Sequence, residues 1–325
     1  IMKNVLVIGA GLCGSLLTLR LAQEGFNVTL VEKRPDLRRV TLDAGRSINL
    51  ALSNRGLRSL KIAGLEDAVH ELLIPMTGRM IHEKTSQKTF LSPYSGREDE
   101  YINSVSRPGL NKLLLNEVDK LSNKEFETEK EITYKADVIF GTDGAGSAVR
   151  AAMIHDKSFL FNISHQWLEH GYKELEILPG ENNGYKIYKN ALHIWPRGEY
   201  MLIALPNLDG SFTVTFFLPH KNSKYSFETL TNPEKAFFKQ EFPNVSALIP
   251  NLTEQFFENP IGTLGTVKCS PWHHSGKAVI MGDAAHAMVP FYAQGMNSSF
   301  EDVAVFMEIF DKHKKDWNNK ANIWE

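Results

Sequence analysis

The sequence predicts an α/β fold in which a Rossmann-like nucleotide-binding domain is interleaved with a mixed-sheet substrate domain. Three observations carry that prediction. A β-branched run, Asn4-Val5-Leu6-Val7-Ile8, leads directly into Gly9, Gly11 and Gly14. A second apolar run, Val28 to Val31, delivers an acid, Glu32, at its end. Far downstream, Gly282-Asp283-Ala284-Ala285-His286 reads as a strand-to-helix turn that carries another acid. At 325 residues and 42% hydrophobic content, the chain exceeds a typical single domain and holds enough apolar side chains for two cores.

The elements follow in order. Gly9 permits a tight turn, Gly11 lets the backbone approach a pyrophosphate, and Gly14 lets the next helix pack on the strand. That helix takes its apolar positions from Leu16, Leu17, Leu19 and Leu21, and Gly25 terminates it. The Glu32 carboxylate accepts hydrogen bonds from ribose hydroxyls and repels a 2′-phosphate, so the tight nucleotide is FAD or NAD and not NADP. Arg46 lies in a mixed polar and apolar segment running to Ser53, and faces a phosphate, a flavin edge or solvent; Asn54-Arg55-Gly56 then opens a helix. Ser104 to Arg107 precede an amphipathic helix over Leu110 to Leu121, and Arg107 offers a second cation to the nucleotide. The polar stretch around Lys124 to Lys135 is too short for another sheet, so residues are expected to be missing there. Ala136 to Phe140 reads as a buried strand. Asp143-Gly144 beyond it can bond a ribose or order waters on the pyrophosphate, ahead of a helix ending near Arg150.

Met201 to Leu205 and Phe212 to Phe217 read as two strands joined by a turn at Asn207 to Gly210, with alternate residues on one face flooring a substrate domain. The Asp283 turn suits a ribityl chain, and together with the glycine turn, in this order, it points to FAD. Pro290 to Asn297 leads into a helix whose N-terminus, aimed at the flavin N1 and C2 carbonyl, stabilises an anionic reduced ring, with Gln294 and Asn297 as side-chain donors. His286 is read as a packing or hydrogen-bonding residue of the turn. The last helix, Val303 to His313, is expected to stop without a domain to pack on, leaving the chain incomplete there.

Composition excludes several classes. A net charge of −2 leaves no electrostatic footprint for nucleic acid. Two cysteines, Cys13 and Cys269, make no disulfide scaffold and have no metal-ligand partners nearby, so no metal is expected and a reducing cytoplasm fits. No apolar run reaches the roughly 18 residues that span a bilayer, and the opening strand leaves no room for a signal peptide.

The glycine turn with Glu32 and Arg34, the Asp143-Gly144 pair and the Gly282-Asp283 turn resemble the three sequence marks of the single-component FAD-dependent aromatic hydroxylases. Narrower segments are similar to the kynurenine-hydroxylating branch of that family. They are Arg46 to Ala51, Gly78-Arg79-Met80, His170 to Leu175, Leu192 to Arg197 and Met288 to Phe291. The resemblance implies a glutathione-reductase-like FAD-binding domain of the aromatic hydroxylase fold, with the C-terminal helical region absent. It implies FAD parts at 1–70, 101–160 and 269–325 and substrate-domain parts at 71–100 and 161–268. By the same match, Arg79 and Tyr94 hold the carboxylate of L-kynurenine, and Met201, Ile203, Leu205, Phe217 and Phe291 line its pocket. Gly9, Gly11, Leu12, Gly14, Glu32, Arg34, Arg46, Leu52, Arg107, Asp143, Gly282, Asp283, Gln294, Gly295, Met296 and Asn297 bind the cofactor, and Pro290, Phe291, Gln294 and Gly295 position the reaction.

The implied chemistry is tryptophan-degrading: NADPH, a transient co-substrate, reduces FAD, O2 gives a flavin C4a-hydroperoxide, and the ring carbon ortho to the substrate amine attacks the distal oxygen. No strong enzymic base is demanded. The pattern departs from the family at Ala293, where glycine is usual, and at the variable Tyr292. The resemblance allows a homodimer and implies a soluble bacterial cytoplasmic protein, or a mitochondrial outer-membrane one where a C-terminal anchor lies beyond this chain. Two other readings share the flavin marks: a hydroxylase or oxidase of another aromatic acid, and a binding protein of the GDP-dissociation-inhibitor type. Flavin-dependent halogenases share the fold, but their paired-tryptophan motif is absent.

Overall fold

The computed structural model describes residues 4–40, 49–84, 86, 88–129, 132–233 and 237–313. Strand β1 (Asn4–Ile8) enters α1 (Leu12–Gln23), and β2 (Asn27–Glu32) returns beside it in parallel, Val5 opposite Val28. Gly25, at φ 90°, ends α1 and lets the Phe26 amide reach back to the Leu21 carbonyl at 3.2 Å, closing the helix where the sequence places its stop. There follow β3 (Asn49–Leu52), α2 (Asn54–Ile62), α3 (Glu66–His70), β4 (Ile74–Met76), β5 (Gly78–His82), β6 (Thr89–Pro93), β7 (Ile102–Ser106) and α4 (Arg107–Asp119). Ser106 caps α4 by accepting the Gly109 amide, and Pro108 occupies its first turn, where a missing N–H costs nothing.

The region beyond α4 corrects the sequence reading. Lys124–Thr128 forms a strand, β8, which pairs in parallel with β2. Its polar composition is that of an edge, where charged side chains meet water and discourage further pairing; β9 (Val138–Gly141) follows it. Next come α5 (Ala148–His155), which runs past Arg150, then β10 (Asn162–Ile177), β11 (Ala191–Arg197), β12 (Tyr200–Pro206) and β13 (Phe212–Pro219). The chain continues through α6 (Lys239–Glu241), α7 (Pro243–Leu248), α8 (Leu252–Glu258), β14 (Gly262–Ser270), β15 (His273–His274), β16 (Ala278–Ile280), α9 (Asp283–His286) and α10 (Gly295–His313).

Six strands in the order β15-β16-β9-β1-β2-β8 make the first sheet, parallel except at β15. Its core includes Leu16, Leu17, Leu30, Val138 and Phe140, with Phe300, Val303, Met307 and Phe310 of α10. The last helix therefore begins at Gly295 and packs on this domain, with Phe310 edge-on to Phe26 at 5.5 Å. This overturns the expectation of a helix with nothing to pack on.

The second sheet has seven strands, β14-β10-β13-β12-β11-β5-β6, and its two faces differ. Leu175, Ile177, Leu202, Ala204, Phe212, Val214 and Phe216 turn one way, into a dry core with Phe237, Phe238, Phe242 and Phe256. Each such side chain contributes about 1.5–3 kcal/mol by leaving water. Ile203 and Leu205 turn the other way and meet Ala51, Met76 and Ile102 of the three-stranded antiparallel sheet β3-β7-β4. Among the described residues no helix is long and apolar enough to cross a membrane.

Candidate active site

The nucleotide end forms where β1 meets α1. A Cβ on Gly9 would stand 2.6 Å from the Thr142 carbonyl oxygen, and one on Gly14 would collide with the Gly9 carbonyl, so both glycines are fixed by packing. Gly11 differs: a Cβ there meets nothing within 4 Å, so its bareness serves something outside the protein. Among the described residues the amides of Leu12, Cys13 and Gly14 find no acceptor, as at any uncapped helix start. An open backbone cradle on a helix N-terminus fits the pyrophosphate of FAD.

Glu32, 8% exposed, accepts the Ala10 amide at 3.0 Å and the Arg34 amide and guanidinium at 3.0 and 2.9 Å. Burial works against its charge, but the hydrogen bonds and charge of Arg34, with the Ala10 amide, hold its carboxyl below the usual range. It is thus an ionised acceptor at the end of β2, which suits ribose hydroxyls. Arg34 is tied to Glu32.

Three expected cofactor contacts are placed otherwise. Asp143 accepts from Ser147 Oγ at 2.5 Å and from the Ala148 and Val149 amides at 2.7 and 3.2 Å, so its main contacts are those of a cap on α5. Leu52 is fully buried in the core of the first domain. Asn297 is also fully buried: it accepts the Ser53 amide and donates to the carbonyls of Ala51 and Ala293, at 2.9, 2.9 and 3.0 Å. Its side chain braces α10 against β3 and is not a free donor for a flavin. Arg46 lies outside the described residues.

At the ring end, Gly282 takes φ 60°, and a Cβ there would stand 2.9 Å from Ser299 Oγ. Asp302 on α10 holds the turn, its Oδ2 accepting the Gly282 amide at 2.8 Å and meeting His286 Nε2 at 2.6 Å. Burial depresses the His286 imidazole, but the bond and charge of Asp302 outweigh it and leave its pKa raised. Asp283 is exposed, without a hydrogen-bond partner among the described residues, and its Oδ1 lies 4.0 Å from where a Cβ of Gly295 would stand. The Asp283 carboxylate and the α10 N-terminus, with Gly295 and Met296, therefore border one space. Among the described residues the Gln294 side chain makes one hydrogen bond, its Nε2 donating to the Tyr292 carbonyl at 3.3 Å. Ala293 adopts φ 51° and ψ 37°, left-handed backbone that costs an alanine about 1–2 kcal/mol and explains why glycine suits the position.

The substrate end lies on the less apolar face of the second sheet. Register places Met201 opposite Phe217 and Ile203 opposite Thr215, so Met201, Ile203, Leu205 and Phe217 share that face. Phe291 of the loop before α10 rests on Phe217, ring centroids 5.3 Å apart. Further across, Ile194 opposes Ile203 and Leu192 opposes Arg79, which puts Arg79 on the same face. The exposed Arg79 guanidinium lies 4.7 Å from the Tyr94 ring centroid, and among the described residues it has no carboxylate partner. The Tyr94 hydroxyl is buried with no hydrogen-bond partner among the described residues, and burial pushes its pKa up to about 12. A guanidinium beside a hydroxyl that has no partner among the described residues is a pair of donors whose chemistry suits an anion.

Two residues escaped the sequence reading. Leu192 joins Ile203, Leu205 and Ala293 in the apolar cluster between the sheets. Glu174 of β10 lies on the same face, opposite Thr215, 7% exposed, with no partner for Oε2 among the described residues. Its signal was a single acid in the Tyr172-Lys173-Glu174-Leu175 strand pattern, where alternation alone separates it from the core.

A family model described as FAD binding domain matches residues 2–133 and 119–321. Kynurenine 3-monooxygenase of Myxococcus xanthus is 44% identical over 94% of this chain and 70% of its own length. The enzyme of that name from Legionella pneumophila (strain Corby) is 40% identical over 99% of this chain and 76% of its own. Among solved structures, Pseudomonas aeruginosa PqsL in complex with 2-aminobenzoylacetate superposes with a TM-score of 0.77 at 16% identity, covering 98% of this chain and 88% of that one, a likeness of fold.

Proposed function

The chain belongs to the kynurenine 3-monooxygenases, a family of FAD-binding-domain proteins, and from that membership we infer that it hydroxylates L-kynurenine to 3-hydroxykynurenine with FAD, NADPH and O2. The Arg79 and Tyr94 pair carries the substrate assignment. Its planar guanidinium would bind the amino-acid carboxylate with two parallel hydrogen bonds, and the orphaned Tyr94 hydroxyl would donate a third. From there the aryl ring would run along Leu192, Ile203 and Met201 toward Phe217 and Phe291, which exclude water from the reacting carbon.

When bound, FAD supplies the two-electron chemistry that takes reducing equivalents from NADPH and delivers one oxygen atom of O2 to the substrate. The protein's own residues position it. Glu32 and the Gly11 cradle would hold the adenosine and pyrophosphate, Asp283 the ribityl hydroxyls, and the free amides of Gly295 and Met296 the negative charge that a reduced flavin carries. The amine of kynurenine already enriches the ring carbon beside it, so orientation is the main task left to the pocket.

The test is kynurenine-stimulated oxidation of NADPH with mass analysis of the product; equal rates with and without kynurenine, and no product heavier by one oxygen, would overturn the assignment. Arg79→Ala is expected to weaken kynurenine binding by about 2–5 kcal/mol, as for one partner of a desolvated charge pair, while FAD content stays unchanged. Fluorescence titration of the holoenzyme measures both.

A further inference from the structure

The loop that meets the second sheet ahead of α10 holds one residue in backbone ordinarily left to glycine. Ala293, at φ 51° and ψ 37°, is left-handed, a region that glycine adopts without steric cost and alanine does not. Both of its main-chain polar groups are engaged: the amide donates to the Pro290 carbonyl at 2.8 Å, and the carbonyl accepts from Asn297 Nδ2 at 3.0 Å. Asn297 Nδ2 also donates to the Ala51 carbonyl at 2.9 Å, which ties the loop to β3. Leaving the left-handed conformation would break these bonds, so the fold fixes the direction of the Ala293 methyl. That methyl packs with the cluster of Ala51, Met76 and Leu205, beside Leu192 and Ile203. Leu192, Ile203 and Ala293 are each only partly buried, so protein atoms do not cover all of this apolar surface. Two residues earlier Phe291 rests on Phe217, and the loop thus closes on the sheet face that carries Met201, Ile203, Leu205 and Phe217.

We propose that Ala293 is a specificity-determining residue of the hydroxylation, its methyl forming the part of the pocket wall that limits how bulky an aryl ring the site accepts. The proposal rests on the reading of this face as the kynurenine pocket. Glycine in the same backbone would relieve the steric cost and keep the loop's hydrogen bonds, because position 293 makes them through main-chain atoms. What glycine would remove is one carbon of the wall. In a hydrophobic pocket a change of that size discriminates between substrates by about 10–200-fold. The fixed backbone makes the limit effective, since a methyl on a hydrogen-bonded loop cannot swing aside as a long side chain does. An alanine that filled a gap between the sheets and nothing more would affect stability and leave the choice among substrates untouched.

Steady-state turnover by the FAD-loaded protein tests this, with kynurenine and the three kynurenines that carry one methyl at a ring carbon other than the reacting one, hydroxylated product being counted by mass. The wild type is expected to turn over at least one of the three with a kcat/KM below that of kynurenine by about tenfold or more. Ala293→Gly should raise kcat/KM for that analogue by about tenfold while the kynurenine value stays within about twofold and FAD content is unchanged. Ala293→Ser, which keeps the β-carbon, should go on rejecting it. The ratio of analogue to kynurenine separates a wall from a packing residue, because a loosened loop would alter all four substrates alike. A wild type indifferent to ring methylation, a ratio unmoved in Ala293→Gly, an equal gain in Ala293→Ser, or a parallel fall for all four substrates would overturn the proposal. A wild type without kynurenine-stimulated NADPH oxidation would instead remove the assignment of the pocket, and the proposal with it.

Discussion

Tyr94 carries a buried hydroxyl with no partner among the described residues, which gives one substitution opposite effects in two states of the protein. Without ligand, that hydroxyl is a desolvation cost that no partner offsets, so Tyr94→Phe should leave thermal stability unchanged or slightly higher. With kynurenine bound, the same variant lacks a hydrogen bond to a carboxylate and should bind about 1.5–3 kcal/mol more weakly. Melting curves with and without kynurenine read both signs; a marked loss of stability in the ligand-free variant would mean that the hydroxyl already has a partner. At this scale the sequence was informative about residue type and less so about employment. The place of Glu32 at the end of its strand and the alternation of Met201, Ile203 and Leu205 were legible because their signals are local. Asp143, Leu52 and Asn297 were not, because what occupies them is decided elsewhere: Asn297 is held by Ala51 and Ser53, some 244 to 246 positions away.

The turn between β16 and α9 shows how an element keeps a strained shape. Gly282 sits at φ 60°, and the Asp302 carboxylate on α10 pins its amide while also holding His286. Because the folded protein raises the His286 pKa above its ordinary value, the pair's contribution is complete below about pH 6.5 and fades as pH climbs through the folded value. Retention of FAD is therefore expected to weaken as pH rises above neutrality, and His286→Asn should flatten that dependence. Flavin fluorescence released on dilution across pH measures it, and an identical profile in the variant would refute the role. Strand β8 shows why an element can hide: Lys124-Glu125-Phe126-Glu127-Thr128 has no apolar run, and only its pairing with β2 makes it a strand. The start of helix α10 was legible in the Pro290 to Asn297 segment, but what holds its first turn was not: Asn297 bonds the Ala51 carbonyl of β3 and the Ser53 amide ahead of α2.

Over the whole molecule the acid side is set in the other domain. His82 stacks on Trp195 with ring centroids 4.0 Å apart and shares a 2.8 Å hydrogen bond with His193. Burial, with the charges of His193 and Arg197 adding to it, lowers the His82 pKa to about 3. A depressed histidine stabilises the fold fully above about pH 6.5 and ceases to do so as pH falls through its folded value. Unfolding free energy is thus expected to drop between about pH 6.5 and pH 3, and His82→Gln should make that limb shallower in denaturant titrations. With His286 working in the opposite direction, greatest stability of the cofactor-loaded protein should fall near neutrality. Fold class and the interleaving of the two sheets were open to sequence because period-two runs and glycine turns are short-range patterns. The sidedness of their packing was not, because it depends on which faces the two halves turn toward each other.

The seven-stranded sheet divides its labour by parity. Odd-numbered positions of β12, Met201, Ile203 and Leu205, share the face proposed for the ligand, while the even ones, Leu202 and Ala204, belong to the phenylalanine core that keeps the domain folded. Successive side chains on one strand thus answer to different selective pressures. A lineage can exchange the odd residues and drift toward another aromatic acid without opening a cavity in the core. Substrate preference in such a scaffold can change faster than the architecture that supports it.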